Sequence, residues 1–542
     1  MTDDDRGACE EAEFQLAGGT EQRLAERQYL AYIAFTRPSQ FLCVTYPSTD
    51  QKGSCVVRSQ FITGLESLFE NLREESVLDY KSDIENIYSQ SELADLLCSR
   101  LGCDSRPAAR ESVGPSRDDL GELLNDVTLD EELGGLGSRI VSAINYDNRA
   151  ELDKGIVEGF FSGRIKSSAT RLRTYSACPY QYFSRYILEL EEREEFKFEP
   201  LDLGVFYHCV LDGLLKRLNR KKKSFASIEK DELLRFLREE ISEVITTSTF
   251  ISNFRRHSAH NAFIIQVASE VLEDCVVAIG EMVRAGKFRP VLSEVSFGEA
   301  KDSSYKLGEY ELAFSGGRRL SLDGKIDRLD VAEVNGEKIA IVFDYKRSAE
   351  SFNWSEFYYG LDMQLPIYIL AAGKASDPQY RVRKTAGAFY MPVEVSPKEA
   401  EIGEVEEAAE GFGYKARGIF NGEFARQLDE KALKDSRFYN FYVTKDGEPY
   451  GSYEKRGALR PVDFEKVLKF TEKKIVELTE EIISGRIEVK PYRLSSKTAC
   501  DYCKYKAVCR FDWQINDYNS LASLSKEQIL ERIRDIDGRQ RD

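Results

Sequence analysis

Asp344 and Lys346 lie two positions apart at the polar end of an apolar run, residues 341–343. In a β-strand, residues two positions apart point to the same face, so this carboxylate and this ammonium group converge. With a second acid beside them, two carboxylates can hold a divalent cation such as Mg²⁺ while the lysine activates or stabilises a nucleophilic water. Phosphodiester hydrolysis needs this combination, because the cation neutralises charge that develops on the phosphoryl oxygens. Alone, an Asp-x-Lys pair at a strand end is more typical of a surface ion pair.

A second acid, Asp327, lies on the strand-like segment that precedes the one with Asp344. The two segments are joined by Asn335-Gly336, a pair that two-residue hairpin turns prefer because both positions adopt positive φ. We therefore predict that Asp327 and Asp344 lie on neighbouring antiparallel strands.

Three more polar residues could complete such a site. Gln364 and Tyr368 are four positions apart in a predicted helix, so they share one face of it. His208 lies near the start of an apolar helix predicted for residues 203–220. A lone helical histidine is more often a packed core residue than a metal ligand, but the chain has only three histidines. His208 is therefore a candidate third metal ligand.

These motifs, in this order, resemble the RecB-type branch of the PD-(D/E)XK nucleases. The motifs are Gly204...His208, Gly324...Asp327, Asp344-Tyr345-Lys346 and Gln364...Tyr368. The resemblance implies an α/β core with a mixed sheet flanked by helices. It also implies one or two magnesium ions held by His208, Asp327, Asp344 and the Tyr345 carbonyl. Lys346 would be the catalytic lysine, Gln364 and Tyr368 would support the site and contact DNA, and Glu294 lies where the family often has a glutamate.

Cysteines form a second constellation. Cys500, Cys503 and Cys509 follow the pattern C-x2-C-x5-C, which is compact enough for three thiolates to reach one centre. Cys178, in an aromatic neighbourhood far upstream, is the best candidate for a fourth ligand. Spacing alone leaves open an iron-sulfur cluster, a structural zinc ion or buried free cysteines.

The two cysteine segments resemble the halves of the iron-sulfur staple in the B subunits of AddAB-type helicase-nucleases. The segments are residues 168–190 and 498–512, and the nuclease motifs lie between them. The resemblance implies a [4Fe-4S] cluster on Cys178, Cys500, Cys503 and Cys509 that encloses the nuclease fold. It also implies an AddA-type helicase-nuclease partner and cleavage of the strand that ends 5′ at a DNA break.

Residues 26–37 resemble the last conserved motif of UvrD-like helicases, in which an arginine contacts nucleotide phosphates; Arg37 is the matching position. The sequence nevertheless contains no G-x-x-x-x-G-K-[ST] phosphate loop. We therefore expect no ATP hydrolysis by this chain alone. We also expect the chain to be the C-terminal part of a longer subunit, or the product of a split or degraded gene.

The 542-residue chain has a net charge of −17 and eleven cysteines. Its length suggests three or four structural units, and its composition is typical of a soluble globular protein. With no apolar run of membrane-spanning length and no signal peptide, we expect a cytoplasmic location and reduced thiols. The acidic balance counts against a protein that only coats nucleic acid. The basic run at residues 216–223 could be a local DNA-binding patch or a solvated helix end.

We expect three regions: a remnant of a UvrD-like helicase domain at 1–60, a mainly helical connecting region at 61–165 and the nuclease domain at 166–542. In the first region we predict a helix up to Thr36 and a strand at residues 41–46. Residues 106–119 read as a loop or linker. The nuclease region has strand-like runs at 310–316, 318–334, 338–347 and 386–395, and helices at 363–372 and 463–484.

The leading hypothesis is a magnesium-dependent DNA nuclease, an exonuclease V-like enzyme that degrades single strands of an unwound duplex end during recombinational repair of double-strand breaks. One alternative is a scaffold protein whose nuclease fold only channels DNA, although the intact Asp-x-Lys pair argues against it. The other alternative is a zinc-stabilised interaction protein.

Overall fold

The computed structural model describes residues 20–49, 55–69, 72, 74, 87–101, 117–145, 151–161, 163–191, 203–298, 305–374, 382, 384–395, 413–444, 449, 453, 456–512 and 516–538. The chain divides into two compact units, Met1–Asn145 and Tyr146–Asp542. Within the described ranges, every helix is too short or too polar to cross a membrane.

Helices make up most of the described part of the first unit. Its helices are α1 (Thr20–Thr36), α2 (Gln60–Leu68), α3 (Gln90–Leu101), α4 (Arg117–Leu129) and α5 (Gly134–Ile144). The predicted helix up to Thr36 is confirmed, and Arg37 follows it directly on the surface. Of the predicted loop at 106–119, all but the last three residues lie outside the described ranges, and those three begin α4.

The strand predicted at residues 41–46 is wrong. These residues are irregular and exposed; Phe41 keeps 82% of its surface in solvent. Apolar, β-prone residues favour a strand locally, but a strand also needs a neighbour that satisfies its backbone hydrogen bonds. Among the described residues, no strand pairs with this segment.

The second unit mixes helices and strands. Its helices are α6 (Lys154–Phe161), α7 (Ala169–Ala177), α8 (Pro179–Tyr182, continued by a π-helical turn, Phe183–Ile187), α9 (Leu203–Arg220), α10 (Lys230–Thr247), α11 (Thr249–His257), α12 (Ala259–Ala285), α13 (Trp354–Tyr358), α14 (Gln364–Gly373), α15 (Ala425–Leu428), α16 (Pro461–Ile483), α17 (Lys506–Cys509) and α18 (Lys526–Gly538). Its strands are β1 (Ile165–Ser167), β2 (Arg289–Phe297), β3 (Tyr310–Ala313), β4 (Arg319–Leu322), β5 (Gly324–Val334), β6 (Glu337–Lys346), β7 (Lys384–Pro392), β8 (Arg417–Asn421), β9 (Ala458–Leu459), β10 (Tyr492–Leu494), β11 (Lys497–Thr498) and β12 (Asn519–Leu521).

A six-stranded mixed sheet lies at the centre of this unit, in the order β2-β5-β6-β7-β8-β9. The pairs β6-β7 and β8-β9 are parallel, and the other neighbours are antiparallel. Asn335 and Gly336 connect β5 to β6 with φ values of 50° and 77°. The predicted hairpin and the expected mixed sheet are therefore confirmed.

Helices cover both faces of the sheet, because each central strand sends alternate side chains into two cores. From β6, Ile341 and Phe343 enter the core that contains α9 to α12, whereas Val342 enters the core that contains α14 and α16. Alternation directs Asp344 to the Val342 face and Tyr345 to the Phe343 face. The acid therefore emerges where α14 packs on the sheet.

Three local boundaries differ from the sequence patterns. The strand-like run at 310–316 ends earlier, at Ala313, as β3. The run at 318–334 is divided, because β4 pairs with β1 and β3 in a separate sheet while β5 belongs to the central one. The strand predicted at 386–395 begins and ends slightly earlier, as β7. The helices predicted at 203–220, 363–372 and 463–484 correspond to α9, α14 and α16 within two residues.

A buried ion pair lies on β5, on the face of the sheet opposite Asp344. Arg328 Nε donates to Asp330 Oδ1 at 2.8 Å, and both residues are only 2% exposed. We expect Arg328→Met to lower the free energy of unfolding by about 3–5 kcal/mol, because it leaves the Asp330 carboxylate buried without this partner. The double variant Arg328→Met/Asp330→Leu should recover most of the loss. Urea unfolding followed by circular dichroism measures both, and a loss below about 1 kcal/mol in the single variant would contradict the expectation.

Candidate active site

The ends of β5 and β6 bring Asp327, Asp344 and Lys346 together. Arg328 pairs with Phe343 across the two strands, so the adjacent residues Asp327 and Asp344 face each other. Lys346 Nζ lies 2.7 Å from Asp344 Oδ2, and both carboxylates are buried. The acid pair and the lysine singled out by the sequence thus share one end of the sheet.

His208 and Glu294 lie at the same end. His208 Nδ1 is 3.3 Å from Asp327 Oδ1 and 3.4 Å from Glu294 Oε1. Among the described residues, these three form the only group of His, Cys, Asp or Glu residues whose ligand atoms all lie within 4.8 Å of one another. Glu294 has a φ of 49°, a left-handed conformation that costs a non-glycine residue roughly 1–3 kcal/mol. The fold therefore holds Glu294 in a strained conformation against the histidine.

Gln364, the first residue of α14, connects the acid to the lysine. Its Nε2 donates to Asp344 Oδ1 at 2.6 Å and to the Tyr368 hydroxyl at 3.1 Å, and its Oε1 accepts from Lys346 Nζ at 3.2 Å. One amide thus fixes both functional groups of the Asp-x-Lys pair. Tyr368 contacts the site through Gln364, as the shared helix face predicts.

Tyr345 contributes its backbone to the site. Its N–H donates to Asp327 Oδ2 at 2.7 Å, whereas its buried hydroxyl accepts from Arg328 on the opposite face of the sheet. In a strand, the N–H and C=O of one residue point towards the same neighbouring strand. The Tyr345 carbonyl is therefore directed to the side of the strand on which Asp327 lies.

The Asp344 carboxylate has the properties of a cation ligand. Burial and then the charge of Asp327 raise its pKa, and although Lys346 opposes both effects, the pKa is raised to about 7. Asp344 Oδ2 is buried and makes no hydrogen bond of ordinary geometry, although Lys346 Nζ lies close to it. Repelling, poorly satisfied carboxylate oxygens beside an imidazole nitrogen fit a hard divalent cation, which would relieve the repulsion.

His208 holds a proton tightly between its acidic neighbours. Burial acts to lower the pKa of the imidazole, but hydrogen bonds and charges of Asp327 and Glu294 outweigh it and raise the pKa to about 10. At neutral pH the imidazolium therefore takes the place, between these carboxylates, that a metal ion could occupy.

Comparison with protein families gives one match that covers this whole arrangement. The model of the PD-(D/E)XK nuclease superfamily matches residues 166–510, more than half of the chain. The chain belongs to the PD-(D/E)XK nuclease superfamily. The matched range contains the Asp-x-Lys pair, Asp327, His208 and all four cysteines of the second constellation.

This nuclease-superfamily chain is also similar to curated proteins that are named as the B subunit of an ATP-dependent helicase/deoxyribonuclease. It is 26% identical to the one from Thermoanaerobacter sp. (strain X514), over 98% of this chain and 46% of that protein. It is 28% identical to the one from Symbiobacterium thermophilum, over 98% and 46%, and 27% identical to the one from Caldanaerobacter subterraneus subsp. tengcongensis, over 99% and 47%. The chain thus spans less than half the length of these relatives.

If His208 is a ligand of Mg²⁺ in this nuclease fold, binding of the ion should release about one proton at pH 8, because a metal-bound imidazole must be neutral while the pKa of His208 is raised to about 10. The pKa is raised, so the proton competes with the metal below that pH, and affinity should rise as the pH rises from 7 to 9. Calorimetric titrations in HEPES and in Tris, which differ in ionisation enthalpy, count the protons. A binding heat that is the same in both buffers would contradict this expectation, and His208→Asn should abolish the release.

The four cysteines of the second constellation, Cys178, Cys500, Cys503 and Cys509, lie near one another. Cys178 is buried, and the pKa of Cys500 is raised to about 12, first by burial and then by the charges of Cys178, Cys503 and Cys509. No three of these four sulfur atoms, however, lie within 4.8 Å of one another. Cys178 and Cys500, 322 positions apart, are thus near enough to influence each other, but the four thiols do not form a close group of potential metal ligands.

Sequence reasoning missed Lys325, which pairs with Glu294 at the candidate active site. The available signal was its position two residues before Asp327, which directs both side chains to one face of β5.

The basic run at 216–223 is partly neutralised by acidic residues. Arg217 contacts Glu239, Glu240 and Glu243, while Lys216 and Lys223 have acidic partners as well. These ion pairs favour the interpretation of the run as a solvated helix end over a DNA-binding patch.

Proposed function

We propose that this chain is a magnesium-dependent deoxyribonuclease that degrades single strands of DNA from an unwound duplex end, as an exonuclease V-like enzyme. The observation that carries the proposal is the convergence of Asp327, Asp344, Lys346 and His208 at one end of the central sheet, in a chain of the PD-(D/E)XK superfamily. Paired carboxylates, an imidazole and an ammonium group meet the requirements of metal-assisted phosphodiester hydrolysis.

In this proposal, Mg²⁺ would be held by His208, Asp327, Asp344 and the Tyr345 carbonyl, with Glu294 beside them. The ion, when bound, supplies Lewis-acid stabilisation of the phosphoryl oxygens and an acidified water. Asp327 is fixed by the Tyr345 N–H, so its second oxygen is oriented towards His208. The pre-positioned carboxylates and imidazole limit the reorganisation needed to hold the cation.

Lys346 would orient the attacking water and stabilise the charge that develops on the phosphate. Its ammonium is held by Asp344 Oδ2 and by Gln364 Oε1. Burial acts to lower the pKa of Lys346. The Asp344 carboxylate outweighs this effect, so the pKa is raised and the lysine stays charged. Gln364 and Tyr368 would support this geometry and contact the DNA backbone. The lysine thus serves as a positioned donor rather than as a base.

The names of the relatives suggest the wider context. The B subunit of a helicase/deoxyribonuclease needs a companion, so we propose an AddA-type helicase-nuclease as partner in double-strand break repair by homologous recombination. We retain the proposed division into a UvrD-like remnant at 1–60, a connecting region at 61–165 and a nuclease domain at 166–542, and a cytoplasmic location. Cleavage of the strand that ends 5′ at the break is part of the same proposal.

We further propose that Cys178, Cys500, Cys503 and Cys509 hold a [4Fe-4S] cluster that fastens the start of the nuclease domain to its end. A single zinc ion with Zn–S bonds of about 2.3 Å needs sulfur atoms about 3.8 Å apart. No three of these four sulfur atoms lie within 4.8 Å of one another, so the structure does not show such a preformed zinc site. The proposal of iron rests instead on the resemblance of the two cysteine segments to an iron-sulfur staple, in which each sulfur binds a different iron atom.

An assay of iron and acid-labile sulfide on anaerobically purified protein tests this cluster. We expect a brown protein with four iron atoms per chain, and loss of the visible absorption in Cys500→Ser. A colourless protein that contains zinc would contradict the cluster and favour the structural-zinc alternative.

Digestion of single-stranded DNA tests the nuclease proposal. Oligonucleotides labelled at either end are incubated with Mg²⁺ or with EDTA, with and without the candidate helicase partner. We expect cleavage only with the metal, and the labelled end that disappears first gives the polarity. DNA binding without any metal-dependent cleavage, alone or with the partner, would instead support the scaffold alternative.

A further inference from the structure

An open depression of about 520 Å³ lies between residues 351–355 and the start of α18. Small-ligand sites typically have volumes of about 300–1,000 Å³. Phe352 and Trp354 line this depression, and their rings meet edge to face with centroids 5.1 Å apart. Lys526 also lines it; its Nζ lies 5.3 Å from the centre of the Trp354 ring and donates to the carbonyls of Arg456 and Ala458.

The depression lies at the same end of the central sheet as the candidate active site. Ser351, on its rim, follows Lys346 by five positions and accepts a hydrogen bond from Arg417 Nη1 at 3.3 Å. Arg417 begins β8 and pairs with Tyr390 of β7, whose neighbour in the sheet is β6. Because adjacent strands are about 4.8 Å apart, the depression lies roughly 10–15 Å from the acid pair.

The chemistry of the walls fits an uncharged, flat, partly polar ligand. Aromatic side chains offer stacking surfaces that accept any nucleobase, since every base has a π-face. Burial lowers the pKa of Lys526 to about 7, so its amine is only partly charged near neutral pH and is already bonded to backbone carbonyls. The permanent positive charge lies instead at the rim, on Arg417. A phosphate of the bound DNA strand would lie beside it.

We propose that this depression binds one unstacked base of the DNA single strand, roughly two to four nucleotides from the phosphate that is cleaved. The inference rests on the proposed function, because only a single-stranded substrate at the acid pair carries a base to Trp354. Trp354 stacks on the base, Phe352 supports the tryptophan ring, and Arg417 contacts the adjoining phosphate.

Tryptophan fluorescence tests the contact directly. The chain has two tryptophans, Trp354 and Trp513, so Trp513→Phe leaves Trp354 as the single reporter. In EDTA, where no cleavage occurs, we expect oligothymidylates to quench the emission of Trp354. An unquenched signal at oligonucleotide concentrations that saturate binding would overturn the proposal.

Affinity measurements test the energetic role of the stack. In EDTA, Trp354→Leu should weaken binding of a single-stranded oligonucleotide about tenfold, whereas Trp354→Phe should retain most of the affinity. Phe263→Leu, which removes an exposed aromatic ring from α12, is the matched control and should leave binding unchanged. Equal affinities of the wild type and Trp354→Leu would overturn the proposal.

A scan with abasic sites in the oligonucleotide tests the contact first on the wild type itself. One abasic position should weaken binding to the wild type about tenfold and have no further effect on Trp354→Leu. A flat scan overturns the base-binding role even if Mg²⁺-dependent cleavage by the wild type is intact, so the proposed nuclease function would survive. If the wild type neither binds nor cleaves single strands, both proposals fail.

Discussion

Asp344→Asn is expected to lower the rate of Mg²⁺-dependent DNA cleavage by roughly 10³-fold or more. The substitution keeps the shape of the side chain but removes the negative charge that would bind the cation. It also replaces the Oδ2 atom, which lies 2.7 Å from Lys346, by either an amide nitrogen or a neutral oxygen. Initial rates on end-labelled single-stranded DNA at saturating Mg²⁺ measure the loss.

Asp429→Asn is the matched control, because Asp429 is also a buried acid but accepts from the Ser436 hydroxyl, away from the acid pair. It should cleave DNA at the wild-type rate. Without metal, Asp344→Asn should also be at least as stable as the wild type above pH 7. The pKa of Asp344 is raised from 3.8 to about 7 in the fold, so stability of the wild type falls as the pH rises through this interval, where the unfolded chain ionises first. Undiminished cleavage by purified Asp344→Asn would refute the proposed role.

The central hairpin and its acids could be predicted from the sequence because their geometry is local. Asn335-Gly336 prescribes a two-residue turn, and strand alternation then brings Asp327 opposite Asp344 and directs Lys346 to the same face. The spacing of Gln364 and Tyr368 fixes their common helix face in the same way. Each of these arguments needs only a few consecutive residues.

The contacts of His208 and Glu294 could not be derived in this way. They join α9 and β2 to Asp327 across 119 and 33 positions, and no local periodicity specifies which helix packs at that end of the sheet. The resemblance supplied these residues, not their geometry. The left-handed φ of Glu294 was also hidden, because strand propensity predicts extended backbone there.

The wrong strand prediction at residues 41–46 also reflects the limits of local patterns. Its β-prone residues satisfy the local pattern, but strand formation depends on a hydrogen-bonding partner elsewhere in the chain. Likewise, the continuous pattern at 318–334 gave no sign that β4 and β5 join different sheets. Long-range pairing, rather than propensity, decided both outcomes.

Lys346→Met is expected to lower the cleavage rate by about 10²–10⁴-fold while Mg²⁺ binding persists. Methionine fills a similar volume but can neither orient a water nor stabilise a developing negative charge. The Lys346 ammonium neutralises part of the Asp344 charge, so its removal should leave metal affinity at pH 8 equal or tighter. Cleavage rates and calorimetric Mg²⁺ titrations together separate a catalytic loss from a binding loss.

Lys497→Met is the matched control for Lys346→Met. Lys497 also forms an ion pair, with Glu356 at 3.2 Å, but on the exposed surface, so its loss should change neither cleavage nor metal binding. A parallel loss of Mg²⁺ affinity and cleavage in Lys346→Met would mean that the lysine only organises the metal ligands. A catalytic loss at full metal occupancy would mean that the ammonium group, which Asp344 and Gln364 contact, itself acts on the water or the phosphate.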